Sequence, residues 1–132
     1  MIKIAPENLN FQINTTGIDL SYSETEGLSI RLTIIKNEEA VTATISFSIV
    51  AEFECIGMNF YEAQYENIAI ELPAGTTQDS AFYKNTDLSS YEHKIKIYDP
   101  RNRFELAEYY IPGNDCYLRI IASKYKLHIN EN

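Results

Sequence analysis

Tryptophan is absent from the chain, and histidine and cysteine occur only twice each. Without indole rings there is little stacking surface for a sugar, although ten tyrosines supply smaller apolar faces. His93 and His128 have no carboxylate, cysteine or second histidine at metal-ligand spacing, so no metal site is expected. Cys55 and Cys116 stand 61 positions apart with no Cys-x-x-Cys around either. They are expected as two buried small hydrophobic side chains, kept reduced in a cytosolic chain. Five glycines lie isolated, so no phosphate-cradling loop is present, and no Gly-x-Ser-x-Gly elbow occurs. These gaps leave no catalytic residue to name and no cofactor to expect. No apolar run approaches the ~18 residues that cross a bilayer. The opening Met-Ile-Lys-Ile-Ala-Pro lacks the apolar block and cleavage site of a secretory signal. No membrane association is expected, and the expected address is the cytoplasm.

Basic side chains are scarce in the first part of the chain. Residues 1–80 hold three of them, Lys3, Arg31 and Lys36, against twelve carboxylates, a balance of −9. Residues 81–132 carry +1, for a total of −8. Such an acidic segment repels nucleic acid and anionic lipid and attracts a basic protein. The basic residues Lys94, Lys96, Arg101, Arg103, Lys124 and Lys126 are expected to decorate sheet edges against aggregation.

What the chain has is alternation. From Val41 to Cys55 the odd positions read Val, Ala, Ile, Phe, Ile, Ala, Phe, Cys, and the even ones are polar except Val50. A period of two marks a strand buried on one face. Fifteen residues at ~3.3 Å each span roughly 50 Å, more than the ~35–40 Å diameter of a chain this long. The strand is therefore expected to bend near Val50 and Ala51, serving two sheets of a sandwich or coiling around a barrel. Leu28, Ile30, Leu32 and Ile34 alternate in the same way, and the short polar run Lys36-Asn37-Glu38-Glu39 predicts an antiparallel hairpin from Leu28 to Val50.

Further alternating runs are read around Ile2–Ile4, Leu9–Ile13, Ile18–Tyr22, Ile68–Leu72, Tyr91–Ile97, Phe104–Ile111, Cys116–Ala122 and Tyr125–Ile129. Thr16-Gly17, Asp99-Pro100-Arg101-Asn102 and Pro112-Gly113-Asn114-Asp115 are read as turns. Asn59 followed by Glu62 has capping-box spacing, which predicts a short helix near 59–67. From Ala74 to Ser90 the pattern is weak, with Phe82 and Tyr83 as candidate core anchors. The expectation is one all-β domain over residues 1–132, a mainly antiparallel β-sandwich or barrel of about nine strands.

Glu52 and Glu54 share one strand face, about 6.5–7 Å apart at Cα, a spacing that can serve glycoside hydrolysis. Nothing else marks a sugar cleft and tryptophan is absent, so a solvated sheet face is the expectation for this pair. A second cluster, Tyr61, Glu62, Tyr65 and Glu66, combines large aromatic contact area with carboxylates that accept bonds from arginine or lysine. If the bend brings the strand's end beside it, the six residues Glu52, Glu54, Tyr61, Glu62, Tyr65 and Glu66 form one acidic, tyrosine-bearing surface. The functional expectation is a non-catalytic acidic inhibitor of a basic toxin or nuclease, of the kind found among bacterial immunity proteins. A β-barrel carrier of a lipid-like molecule and an assembly subunit are the alternatives.

Overall fold

A computed structural model of the chain describes residues 1–75 and 78–130, the side chains of 15 and 16 excepted. Among the described residues ten strands, two short α-helices and a single 3-10 turn follow one another: β1 (Ile2–Pro6), β2 (Gln12–Ser23), β3 (Gly27–Lys36), β4 (Glu39–Phe47), β5 (Val50–Ile56), α1 (Phe60–Ala63), β6 (Ile68–Ile70), β7 (Tyr83–Asn85), the 3-10 turn Leu88–Ser90, α2 (Glu92–Tyr98), β8 (Ala107–Pro112), β9 (Tyr117–Ala122) and β10 (Tyr125–Asn130). They form a sheet ordered β5-β9-β8-β7-β1-β6 and a second ordered β10-β4-β3-β2. Every pairing is antiparallel except β1 with β6. The fold is the expected all-β sandwich. A closed barrel is not formed, because both sheets keep open edges.

The β3–β4 hairpin is the expected one. Leu28, Ile30, Leu32 and Ile34 lie opposite Phe47, Ile45, Ala43 and Val41, so both apolar faces turn to the same side. Asn37 and Glu38 form the connection with φ of 52° and 65°, the left-handed pair that matches the twist of a two-residue hairpin.

The long strand does bend, and it changes sheet as it does so. β4 ends at Phe47, Ser48 and Ile49 turn the corner, and β5 continues in the other sheet. An irregularity between Val50 and Glu52 leaves Ala51 without a ladder partner, a bulge that sharpens the bend where it was expected. The partner ribbon turns at the same corner. β10 pairs with β4 up to Tyr125–Phe47, and β9 pairs with β5 from Ala122–Val50. Ser123 N–H, between the two, donates to the Ile49 carbonyl at 2.9 Å.

Residues from both sheets fill the space between them, among them Phe11, Ile30, Ile45, Phe47, Phe82, Tyr109, Ile111, Leu118 and Ile120. Each fully buried side chain of this size contributes about 1.5–3 kcal/mol relative to exposure. Phe82 and Tyr83 are the anchors expected of the weakly patterned stretch, although Thr76 and Thr77 within it lie outside the described residues. A second apolar cluster lies on the outer face of the six-stranded sheet, where Phe60 of α1 packs on Tyr83, Tyr110 and Tyr117.

Four expectations need correction. Tyr91–Ile97 is a helix, α2, not a strand. Its residues satisfy both periods: Ile95 and Ile97 alternate, but Tyr91, Ile95 and Tyr98 are spaced i, i+4, i+7, and Ile97 is left 72% exposed. Thr16-Gly17 does not end a strand, because β2 runs through it with a register shift between Asn14 and Ile18. The buried face of the long strand stops at Phe47, with Ile49 and Cys55 exposed at the corner and the sheet edge. Cys116 is only half-buried, so neither cysteine is the core residue expected; both thiols are free.

Gly27 sits under this corner. A Cβ on it would lie 2.2 Å from the Phe47 carbonyl oxygen, and its φ of +80° disfavours any L side chain. Gly27→Ala is expected to cost about 2–5 kcal/mol in urea unfolding, the combined cost of overpacking and a left-handed backbone. Glu38→Gly, which relieves a left-handed residue in open solvent, is expected to gain about 0.5–1 kcal/mol in the same measurement.

Candidate functional site

The outer face of the six-stranded sheet gathers all six residues singled out in sequence, but divides them between two ends. Register places Glu54, Arg119 and Tyr110 side by side across β5, β9 and β8, with Glu52, Ile121 and Glu108 in the next row. Arg119 is the hub. Its Nε donates to Glu54 Oε1 at 2.5 Å, its Nη1 to Glu108 Oε2 at 2.9 Å, and its Nη2 to Glu52 Oε1. Lys94 Nζ and the Tyr98 hydroxyl, both from α2, close over Glu52 at 2.7 and 2.5 Å. Beneath, Glu108 accepts from Asn85 Nδ2 at 2.9 Å and from the Tyr110 hydroxyl at 2.8 Å.

Burial by itself would raise the Glu52 carboxyl, but the hydrogen bonds from Arg119, Lys94 and Tyr98 outweigh it and hold it at about 2. The same balance acts on Arg119, where burial disfavours the cation and the bonds to Glu52, Glu54 and Glu108 stabilise it further. A carboxyl held this low stays ionised and cannot serve as the general acid that glycoside hydrolysis requires. Both Glu52 oxygens are taken up inside the protein, and Glu54 gives Oε1 to Arg119. Chemically this end is a knot that fixes α2 to the sheet.

The other end is open. Asn59 caps α1 as its spacing predicts: its Oδ1 accepts from Glu62 N–H at 3.1 Å, while its Nδ2 donates to the Asn114 carbonyl at 3.2 Å and ties the helix to the β8–β9 turn. Phe60 is the buried anchor, its ring centroid 5.2 Å from Tyr117 and 5.9 Å from Tyr83. Gln64 Nε2 donates to the Tyr117 hydroxyl at 2.8 Å and holds the turn after the helix. The Tyr61 hydroxyl meets that of Tyr83 at 3.1 Å, and Tyr83 donates to Asp79 at 2.9 Å. Burial raises both phenols, so they remain neutral donors. Tyr65 has no such tether and is 82% exposed.

Between this helical turn and β6 lies a groove of about 260 Å³ lined by Phe60, Tyr61, Gln64, Tyr65, Ile68 and Ile70. Leu72 and Met58 are exposed nearby in sequence, and Glu62 and Glu66 are exposed on the segment that forms one wall. The sequence singled out Tyr61, Glu62, Tyr65 and Glu66 but missed Arg119, Phe60 and Ile70. A readable sign of Arg119 was its place between Tyr117 and Ile121, an isolated charge in an apolar run. His93 lies exposed on α2 and His128 exposed on β10, and no group of three potential metal ligands occurs among the described residues. Lys94 and Lys96 belong to α2 rather than a meander strand, with Lys94 committed to Glu52 and Lys96 paired with Glu92.

Fold and site together define a two-sheet β-sandwich with an ion-paired knot at one end of an outer face and an open aromatic groove at the other. No protein-family model, curated protein or solved structure matches this chain. Among the described residues no helix is long and apolar enough to cross a membrane.

Arg119→Met is expected to cost about 3–5 kcal/mol in urea unfolding, because three carboxylates are left facing one another without their cation. Glu54→Gln, at a half-exposed partner, should cost under about 1 kcal/mol. Acid adds a second test. The Glu52 carboxyl ionises lower in the folded chain than its ordinary 4.5, so its contribution is fully present above that pH and disappears as pH falls towards 2. The loss of stability across that window should shrink in Glu52→Gln.

Proposed function

We propose that this chain is a non-catalytic protein-binding module, an inhibitor that covers a functional surface of a basic partner as an immunity protein covers its toxin. The observation that carries this reading is the exposed aromatic groove, with Tyr65 largely in solvent beside Tyr61 and Ile70, and with Glu62 and Glu66 exposed on the segment that carries Tyr61 and Tyr65. Tyrosine offers large contact area at low entropic cost, while rim carboxylates raise the association rate with a basic protein and suppress acidic ones. The acidic balance of residues 1–80 extends the same attraction beyond the groove. The binding surface belongs to α1, the turn after it and β6; Glu52 and Glu54 support it by fixing the sheet rather than by touching the partner. A cytoplasmic place of action is part of this reading, with the neighbouring Cys55 and Cys116 thiols kept reduced there.

Affinity capture from the source cell, repeated over a salt series, tests the proposal. A basic protein is expected to bind and to be released as salt rises. Tyr65→Ala should weaken it by about 2 kcal/mol, mainly through faster dissociation, and Glu62→Lys with Glu66→Lys should slow association. Glu24→Lys, in the β2–β3 turn, is the comparison and should slow association less than the reversals at Glu62 and Glu66. Binding indifferent to salt and to all of these substitutions would contradict the proposal.

A further inference from the structure

The six-stranded sheet ends at β6, which is bonded on one side only. Ile2 N–H donates to the Asn67 carbonyl and Glu71 N–H to the Ile4 carbonyl, each at 2.9 Å. Along a strand, successive residues turn their backbone groups to opposite sides, so Asn67, Ala69 and Glu71 face β1 while Ile68 and Ile70 face away. Gln64 takes up the Ile68 N–H at 3.0 Å. Ile70 therefore presents N–H and carbonyl outward, with no backbone partner on that side among the described residues.

Natural edge strands are guarded by shortness, charge, proline or a bulge, and of these the three-residue β6 has its shortness. Ile68-Ala69-Ile70 carries neither charge nor proline, whereas the β10 edge bears Lys126 and His128. Side chains differ across this edge as well. Ile68 and Ile70 lie on the outer face, where the groove and Tyr65 are, while Ala69 and Glu71 point to the other face. A strand laid alongside β6 would thus meet an apolar, tyrosine-walled lane on one face and, on the other, the exposed Glu71 carboxylate, which it would share with Lys3 Nζ 3.8 Å away.

We propose that the β6 edge accepts an extended segment of a basic partner as an added strand, with apolar side chains on Tyr65 and Ile70 and alternate basic side chains towards Glu71. This rests on the protein-binding reading and specifies its mode. Backbone bonds to Ile70 supply register, and the two faces supply the alternating preference. A second copy of this chain fits the edge poorly, because it would set Glu62, Glu66 and Glu71 against an equally acidic set.

An alternating lysine–valine peptide is the probe, with the intact protein observed through its backbone amides. The Ile70 amide should shift and become protected from exchange as peptide is added, and about tenfold more peptide should be needed for Tyr65→Ala. Methylating every valine nitrogen or every lysine nitrogen blocks opposite edges of the extended peptide. One of the two methylated peptides should bind like the parent and the other should not. Equal binding by both, or an Ile70 amide unmoved by the parent peptide, overturns strand addition. Ile70 shifts that follow protein concentration alone put a second copy on the edge and also overturn it. A captured basic partner that is lost with Tyr65→Ala yet leaves Ile70 exchange unchanged would reject strand addition while the protein-binding reading stands.

Discussion

Everything in this fold is placed by the corner at which two paired strands leave one sheet and enter the other. β4 and β10 run together in the four-stranded sheet, and β5 and β9 run together in the six-stranded one. Ser48-Ile49 and Ser123 are the joints, held by the bond from Ser123 N–H to the Ile49 carbonyl. Gly27 lies close against the end of β4, where no side chain has room. Because both ribbons turn at the same place, the sheets are stitched covalently twice at this corner, and the core between them can be filled without a closed barrel. The corner also decides which residues of β5 and β9 reach the outer face, and so where Glu52, Glu54 and Arg119 meet.

That outer face then divides by chemistry. At the β5 end, Arg119 draws in three carboxylates, and α2 covers Glu52 with Lys94 and Tyr98. Removing one partner from such a knot is costly, yet an intact knot has little left to offer a ligand. At the β6 end, Phe60 anchors α1 while Tyr65 and Ile70 stay in solvent. Two outcomes of one principle lie side by side: polar groups that are buried are paired, and those that remain unpaired sit where water, or a partner, can reach them. The proposed binding function is assigned to the second end for that reason.

Much of this was legible in the residues. Alternation opposite a four-residue polar connection specified the β3–β4 hairpin, because one face had to be buried and the turn was short. The bend followed from length alone. Asn59 and Glu62 announced the α1 cap through a local bond that needs no tertiary partner. What escaped depended on contacts distant in sequence. α2 and a strand over Tyr91–Ile97 satisfy the apolar pattern equally, and the choice is made where Lys94 and Tyr98 find Glu52, more than forty residues earlier. Cys55 continues an inward series on paper, but β5 is an edge strand and leaves it uncovered. Ile70 is ordinary in sequence; only the order β7-β1-β6, set by pairing the first residues of the chain with two later segments, makes it the last rung of a sheet.

The division of this face into a closed and an open end is most directly tested by residue-resolved amide hydrogen exchange of the free protein. Ala69 and Glu71, whose N–H groups face β1, should be protected together with Ser123 at the corner, while Ile70 between them exchanges near the rate of an unstructured peptide. Protection of Ile70 equal to that of Ala69 and Glu71 would mean that its edge is already occupied, and would contradict the account.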